Sequence, residues 1–429
     1  GAGTTANISV ELGGTGGSLA KEGAGTLRLN RYAYGLSGFT INSGMVYCGF
    51  AGNSDGLNVG NGTITIKSGA SFKFGGPNQV NNYAVIDVKK GGVFDVSGQT
   101  DNIGAITGDG VVTNAGTILN FRLNGLPRVF SGTIYGGANF NFQEPGGSVV
   151  AAGSNSLENV AFNLYSPGLL SFAPGIGTYY LGSLNTTNAQ TLALQDTAGG
   201  SVTLGLGKNN ADMTPSVVFG GVGGLEKAGG GTLMLTNAHS YAGATLVSGG
   251  TLRLGDGVRD CILTNSSSIT ANATVAFNTA ANQAYANPVY GAGTLTKTGA
   301  GALSLNNLQM RPGTVTVNGG TLALNGGNSS GVTFTAGSGG GTLQVNGGNY
   351  LMGGFTLNTG CGPLVFTGGS STGATLVANN GTAVEVSGGT HLFNGPLGGN
   401  GRINRYTQTG GTVYFDNSQG MGNTNVIHA

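Results

Sequence analysis

Tryptophan is absent from this 429-residue chain, cysteine occurs three times, and charged residues make up only 8%. An ordinary soluble domain is roughly a quarter charged. The formal net charge is +1, and the basic residues are scattered singly apart from Lys89-Lys90. Such a chain has no field to hold phosphates, so nucleic acid is excluded as an expected partner. The missing tryptophans remove the usual stacking platform for sugars. Tyr179-Tyr180 is the candidate substitute, although a packed pair is the simpler reading. Cys48, Cys261 and Cys361 are too few, and odd in number, for a disulfide framework; buried, unreactive thiols are expected. No apolar run approaches the ~18 residues of a membrane-crossing helix, so no membrane-spanning segment is expected. Strong helix formers are scarce (8 Lys, 9 Arg, 6 Glu), and no long stretch carries the 3.6-residue period.

Glycine, by contrast, supplies 87 residues, without the triplet period of collagen. Apolar residues stay at 38%, enough to build a core and to argue against disorder. Short Val/Ile/Leu/Phe segments alternate with Gly, Thr, Asn and Ser from end to end, and nothing reads as a linker. The texture predicts a single all-β body over residues 1–429.

Self-similarity is the main signal. One block, near residues 19–49, runs Leu19-Ala-Lys21-Glu-Gly23-Ala-Gly25-Thr26-Leu27-Arg-Leu29 and continues from Tyr34 to Thr40 and Gly44. A second, near 225–255, places Lys227, Gly231, Leu233 and Leu235 in the same order, then Tyr241-Ala-Gly243-Ala-Thr245 and Thr251-Leu252-Arg-Leu254. A third, near 295–325, has Lys297, Gly301, Leu303 and Leu305, then Thr321-Leu322-Ala-Leu324, without the tyrosine. Leu27 to Val46, Leu233 to Leu252 and Leu303 to Leu322 are each 19 residues apart, and Leu322 to Leu343 is 21. Residues 62–74 are echoed by residues 84–96 at an offset of 22.

A return every 19–22 residues, with strand-like alternation inside each unit, is the length of one coil of short strands and tight corners. The pleat puts Leu27, Leu29, Val88 and Val96 inward, and Thr26, Arg28, Asp87 and Asp95 outward. Parallel crossovers favour one hand. The expected fold is therefore all-β, a right-handed parallel β-helix (β-solenoid) of roughly 19–23 coils.

The three blocks resemble the autotransporter-associated β-strand repeat of bacterial surface and secreted proteins. That repeat reads close to L-x-K-x-G-x-G-T-L-x-L, a Tyr-x-Gly-x-Thr hairpin, then G-T-L-x-L. Lys21, Lys227 and Lys297 stand at its lysine, Gly25, Gly231 and Gly301 at its second glycine, and Leu27, Leu233 and Leu303 at the leucine that follows. The resemblance implies export, a β-helix and a location outside the cell or on a bacterial surface; it implies no particular activity. Such proteins usually end in a membrane barrel or a sorting signal, and residues 423–429 match neither. The start at Gly1 without Met points to a removed leader or a longer parent chain.

β-Helices also host pectate lyases and polygalacturonases, which need carboxylates close together in space. The near pairs here are Asp87/Asp95 and Asp101/Asp109, and each reads as ordinary outward strand or turn residues. His239, His391 and His428 are isolated, and the calcium nonapeptide G-G-x-G-x-D is absent. No catalytic, metal or cofactor site is read from the sequence, and an enzyme is not expected.

The first expectation is therefore an extracellular structural protein, a fibre subunit that associates head to tail. The alternative is an adhesin-like passenger that binds a host or matrix glycan or protein; a glycan-active enzyme comes third. The assembly expectation rests on residues 1–12, where Ala6, Ile8, Val10 and Leu12 form one apolar face of a strand. That strand is expected to pair with the last rungs of a neighbour, near Val426 and Ile427.

Overall fold

The computed structural model describes residues 3–50, 56–113, 117–123, 125–142, 147–166, 168, 170–187, 189–379, 381–393 and 403–415. Among them there is no helix; strands joined by tight corners form parallel ladders that coil as a β-solenoid of about 18 turns. The chain divides into two compact units, Gly1–Gly223 and Gly224–Ala429. In the first unit, a seven-stranded wall runs from Thr5–Ile8 to Thr133–Tyr135, and an eight-stranded wall from Leu12–Lys21 to Leu170–Phe172. A third wall begins at Asp101–Ile103 and reaches Thr203–Leu206. The second unit has a ten-stranded wall from Thr232–Leu235 to Thr412–Phe415 and a seven-stranded one from Gln283–Tyr285 to Ile403–Gln408. Its third wall runs from Gly224–Lys227 to Leu308–Met310.

The repeat spacing of the sequence is the ladder register. Leu27 faces Val46, Leu233 faces Leu252, Leu303 faces Leu322 and Leu322 faces Leu343. The offset of 22 pairs Thr63–Ile66 with Val85–Val88 and Phe72 with Phe94. Stacking at a fixed offset sets like on like. Inside, the registered partners Phe121 and Phe142 stack with ring centroids 4.8 Å apart, and the registered partners Phe140 and Phe162 lie 5.9 Å apart. On the same wall, Asn120, Asn141, Asn163 and Asn185 form a chain in which each amide donates to the previous one at 2.8–2.9 Å. Asn306, Asn325 and Asn346 repeat the device in the second unit at 2.9 Å. A primary amide carries both donor and acceptor, so an in-register column satisfies itself from coil to coil.

The repeat lysines are inside the structure. Lys227 and Lys297 are fully buried and Lys21 nearly so. Each ammonium donates to three corner carbonyls, two just after it in sequence and one on the next coil. For Lys227 these are Ala228 O, Gly229 O and Gly249 O at 2.5, 2.9 and 3.2 Å. For Lys297 they are Thr298, Gly299 and Gly319, and for Lys21 they are Glu22, Gly23 and Ser43. A corner turns three carbonyls inward where no strand can reach them, and an ammonium has three donors. Burial holds the Lys297 ammonium down at about 8, while Asp260 pulls the other way, so it stays charged at neutral pH. The corner also explains the repeat's glycines. Gly299 adopts a left-handed φ of 77°, and a Cβ on Gly301 would lie 2.2 Å from Ala281 O of the preceding coil.

Two expectations are corrected. Leu27 is only half-buried, because its neighbour on the next rung out is Ala6, too small to cover it. Residues 5–12 are not one strand: Thr5–Ile8 ends before Val10, which is 68% exposed, and Leu12 opens the next strand against Ala33. Ala6 and Ile8 pair on one side with Leu27 and Leu29, and Thr5–Ile8 is the terminal strand of its wall; pairing with a neighbouring chain is not shown. Val426 and Ile427 lie outside the described residues.

Replacing Lys227 with Met keeps the length and removes all three donors. Buried carbonyls left unpaired cost about 1–3 kcal/mol each at most, so we expect a loss of about 2–4 kcal/mol in chemical denaturation. Exposed Lys67→Met is the control, expected within about 0.5 kcal/mol of the parent. Equal stability of the two variants would contradict the clamp.

Candidate functional site

In the eight-stranded wall of the first unit, Thr63–Ile66, Val85–Val88 and Ala105–Gly108 pair over four residues each. The next rung, Pro127–Phe130, meets Ala105–Gly108 at a single position, Gly108 opposite Phe130. It then pairs fully with Ser148–Ala151. Pro127 has no amide hydrogen to offer the ladder, and the amide of Leu126 turns back to Leu123 O. The wall therefore splits between two rungs. The split opens a concavity of about 500 Å³ bordered by outward residues of four successive rungs.

Its charges are not all neutralised. Lys89 Nζ lies 2.7 Å from Asp87 Oδ2, and Thr107 Oγ1 donates to Asp87 Oδ1 at 3.3 Å, so Asp87 is committed. Asp109 and Arg128 also line the concavity, and neither makes an ion pair among the described residues. Arg128 is half-buried and its Nε is shielded from water without a hydrogen-bond acceptor. Thr63, Thr107 and Ser131 add hydroxyls to the lining, and Val129 adds a half-exposed apolar face.

The other carboxylates singled out in the sequence serve the scaffold. Burial alone would raise the Asp95 pKa, but bonds from Lys73 at 2.7 Å and from Ser97 hold it below the usual range. Asp101 is buried and accepts the amides of Gln79 and Asn102 at 2.7 and 2.8 Å. The pairs suggested by sequence are thus redistributed: Asp87 and Asp109 share the concavity, while Asp95 and Asp101 have other partners.

His391 is fully buried, with Nδ1 3.0 Å from Ser371 Oγ and Nε2 3.1 Å from Gly388 O, its ring against Phe366. Ser371 is equally inaccessible, so this Ser–His contact is core packing. His239 is also buried, and His428 lies outside the described residues. Burial pushes the Cys48 and Cys261 thiols up, as it does to a lesser extent for half-buried Cys361. No group of three or more metal-ligating side chains occurs among the described residues. Tyr179 is buried and donates to Ala173 O, while Tyr180 carries the Lys208 ammonium 4.6 Å above its ring. The two tyrosines are therefore packing residues, not a shared platform.

The second block shows what the tyrosine hairpin does. Tyr241 is fully buried and its hydroxyl lies 2.6 Å from Thr245 Oγ1, which is 2.9 Å from Ser266 Oγ on the next coil. Tyr34 of the first block is half-exposed and makes no such link among the described residues. The comparisons with known proteins pick out the second and third blocks. Residues 225–254 and 295–324 match the family described as passenger-associated-transport-repeat. The chain carries passenger-type repeats. It is also 30% identical over 188 residues, 44% of its length, to the adhesin BmaC autotransporter of Brucella suis biovar 1 (strain 1330). Those residues span 4% of that protein's length. No solved structure matches. The passenger repeat thus has a physical content: a lysine clamp in both matched segments, with a tyrosine–threonine bond added in the first.

Neither Arg128 nor the concavity is legible as a site in the sequence. The available signal was Pro127, a ladder-breaking residue placed one 22-residue coil after Ala105.

Burial lowers the His239 pKa from its ordinary 6.5 to about 4, and lowers that of His391 in the same sense. Between pH 6.5 and 4 the unfolded chain therefore takes up a proton that the folded chain refuses. Stability is lost as pH falls through that window and is fully present above it. We expect His239→Gln to flatten the acid side of the melting profile relative to the parent. Coincident slopes for the two proteins between pH 6.5 and 4 would contradict the assignment.

Proposed function

We propose that the chain is a non-catalytic, adhesin-like segment of an autotransporter passenger, displayed outside a bacterial cell. The observation that carries this reading is the likeness to a curated autotransporter adhesin, supported by the two passenger repeats. These favour the adhesive reading over the fibre subunit expected first. The physical design agrees with it. Coils that satisfy their own backbone need little surface charge, and their outward residues are free to vary along a rigid scaffold. The concavity of the first unit supplies a polar surface on which Arg128 and Asp109 make no ion pair among the described residues.

Display of residues 1–429 through a heterologous barrel on a bacterium that lacks its own adhesins tests the proposal. We expect several-fold more cells retained on cultured animal cells or on matrix-coated plates than with an unrelated β-solenoid on the same barrel. Equal retention on every surface, at equal display level, would contradict it.

A further inference from the structure

We propose that the split in the eight-stranded wall is a binding site for an acidic sugar, its carboxylate on Arg128 and its hydroxyls on Asp109. The proposal rests on the surface-display reading for its biological setting. The site stands on its own geometry.

A guanidinium is planar and offers paired donors that match a carboxylate. Arg128 has no ion-pair partner among the described residues, and its Nε is already withdrawn from water with no acceptor. The Nη edge of the guanidinium, unlike Nε, is not shielded from solvent, and it is the edge that a ligand carboxylate can reach. Lys89, the other cation of the concavity, is committed to Asp87.

Asp109 decides the class of acid. A phosphate would bring more negative charge toward this exposed carboxylate and be repelled, and a peptide carboxylate would arrive without the ring hydroxyls that Asp109 can accept. A sugar acid brings one carboxylate and several hydroxyls, and an aspartate accepts hydroxyls well. The remaining lining fits the same ligand: Thr63, Thr107 and Ser131 offer further hydroxyl contacts, and exposed Val129 can lie against the C–H face of a ring. The volume of about 500 Å³ falls within the range of small-ligand sites, roughly 300–1,000 Å³. Because the concavity is open, and only one cation is free, binding should be weak for a single site and strengthened by multivalent display.

Binding of 3′-sialyllactose, of a glucuronate disaccharide and of lactose to the purified chain is the test, read by calorimetry and by NMR of the arginine Nε–H signals. We expect at least one acidic sugar to bind and lactose not to bind. Arg128→Gln should weaken binding by about tenfold or more, and Arg128→Lys should weaken it less. Asp95→Asn, which lies outside the concavity, should leave it unchanged. If Arg128→Gln fails to fold, the parent still answers, because the Arg128 Nε–H signal must shift on titration with the acidic sugar. No binding of either acid, equal binding of lactose, or an Arg128 signal that ignores a bound sugar would overturn the site. Cells that adhere without any affinity for these sugars overturn the site and leave the adhesive reading standing. Arg128-dependent sugar binding without adhesion supports the site and counts against the adhesive reading.

Discussion

Inside the walls, most described strands hydrogen-bond in parallel to the strand one coil before and the strand one coil after. Nearly everything else in the structure follows from that constraint. A parallel ladder at a fixed offset brings each position beside its own repeat, so side chains are selected for stacking on their own kind. Phenylalanine on phenylalanine fills the interior, and asparagine on asparagine satisfies one amide with the next. The ladder cannot satisfy the corners, where carbonyls turn inward between walls. The repeat places a lysine there, and its three donors match the three carbonyls. A residue type usually found on surfaces has become a structural staple because its ammonium is fully hydrogen-bonded.

The same constraint says where function can reside. A wall whose backbone is fully paired presents only the outer face of its strands. A wall that skips pairing between two rungs opens a recess between them. Pro127 removes a donor, the ladder shrinks to the contact at Gly108, and the outward residues of four rungs border a polar concavity. The scaffold tolerates the fault because the pairing is complete on either side of it.

Much of the fold was legible in the sequence because the ladder register is itself a sequence interval. The 19 residues from Leu233 to Leu252 and the 22 from Phe72 to Phe94 are hydrogen-bonding partners in space. What was hidden depends on neighbours that a linear reading cannot supply. Lys227 was legible as a motif residue but not as a buried one, since its burial depends on corner carbonyls contributed partly by the next coil. Residues 5–12 alternate as a strand should, yet the chain turns between Ile8 and Leu12 to begin another wall. Tyr34 and Tyr241 occupy similar places in their blocks, but only Tyr241 has a threonine four residues on to bond with. That Arg128 and Asp109 border one concavity was hidden because the recess requires a rung that fails to close.

Engineered cross-linking tests the ladder register directly. Met234 and Arg253 are outward partners on neighbouring rungs. Registered parallel partners lie about 4.8 Å apart, within disulfide reach, whereas a shift of two residues exceeds the limit of about 7 Å. With the three native cysteines replaced by alanine, Met234→Cys with Arg253→Cys should oxidise to a single intramolecular disulfide. Met234→Cys with Thr251→Cys should remain reduced under the same conditions. Efficient bridging of the second pair, or none of the first in folded protein, would contradict the in-register coil.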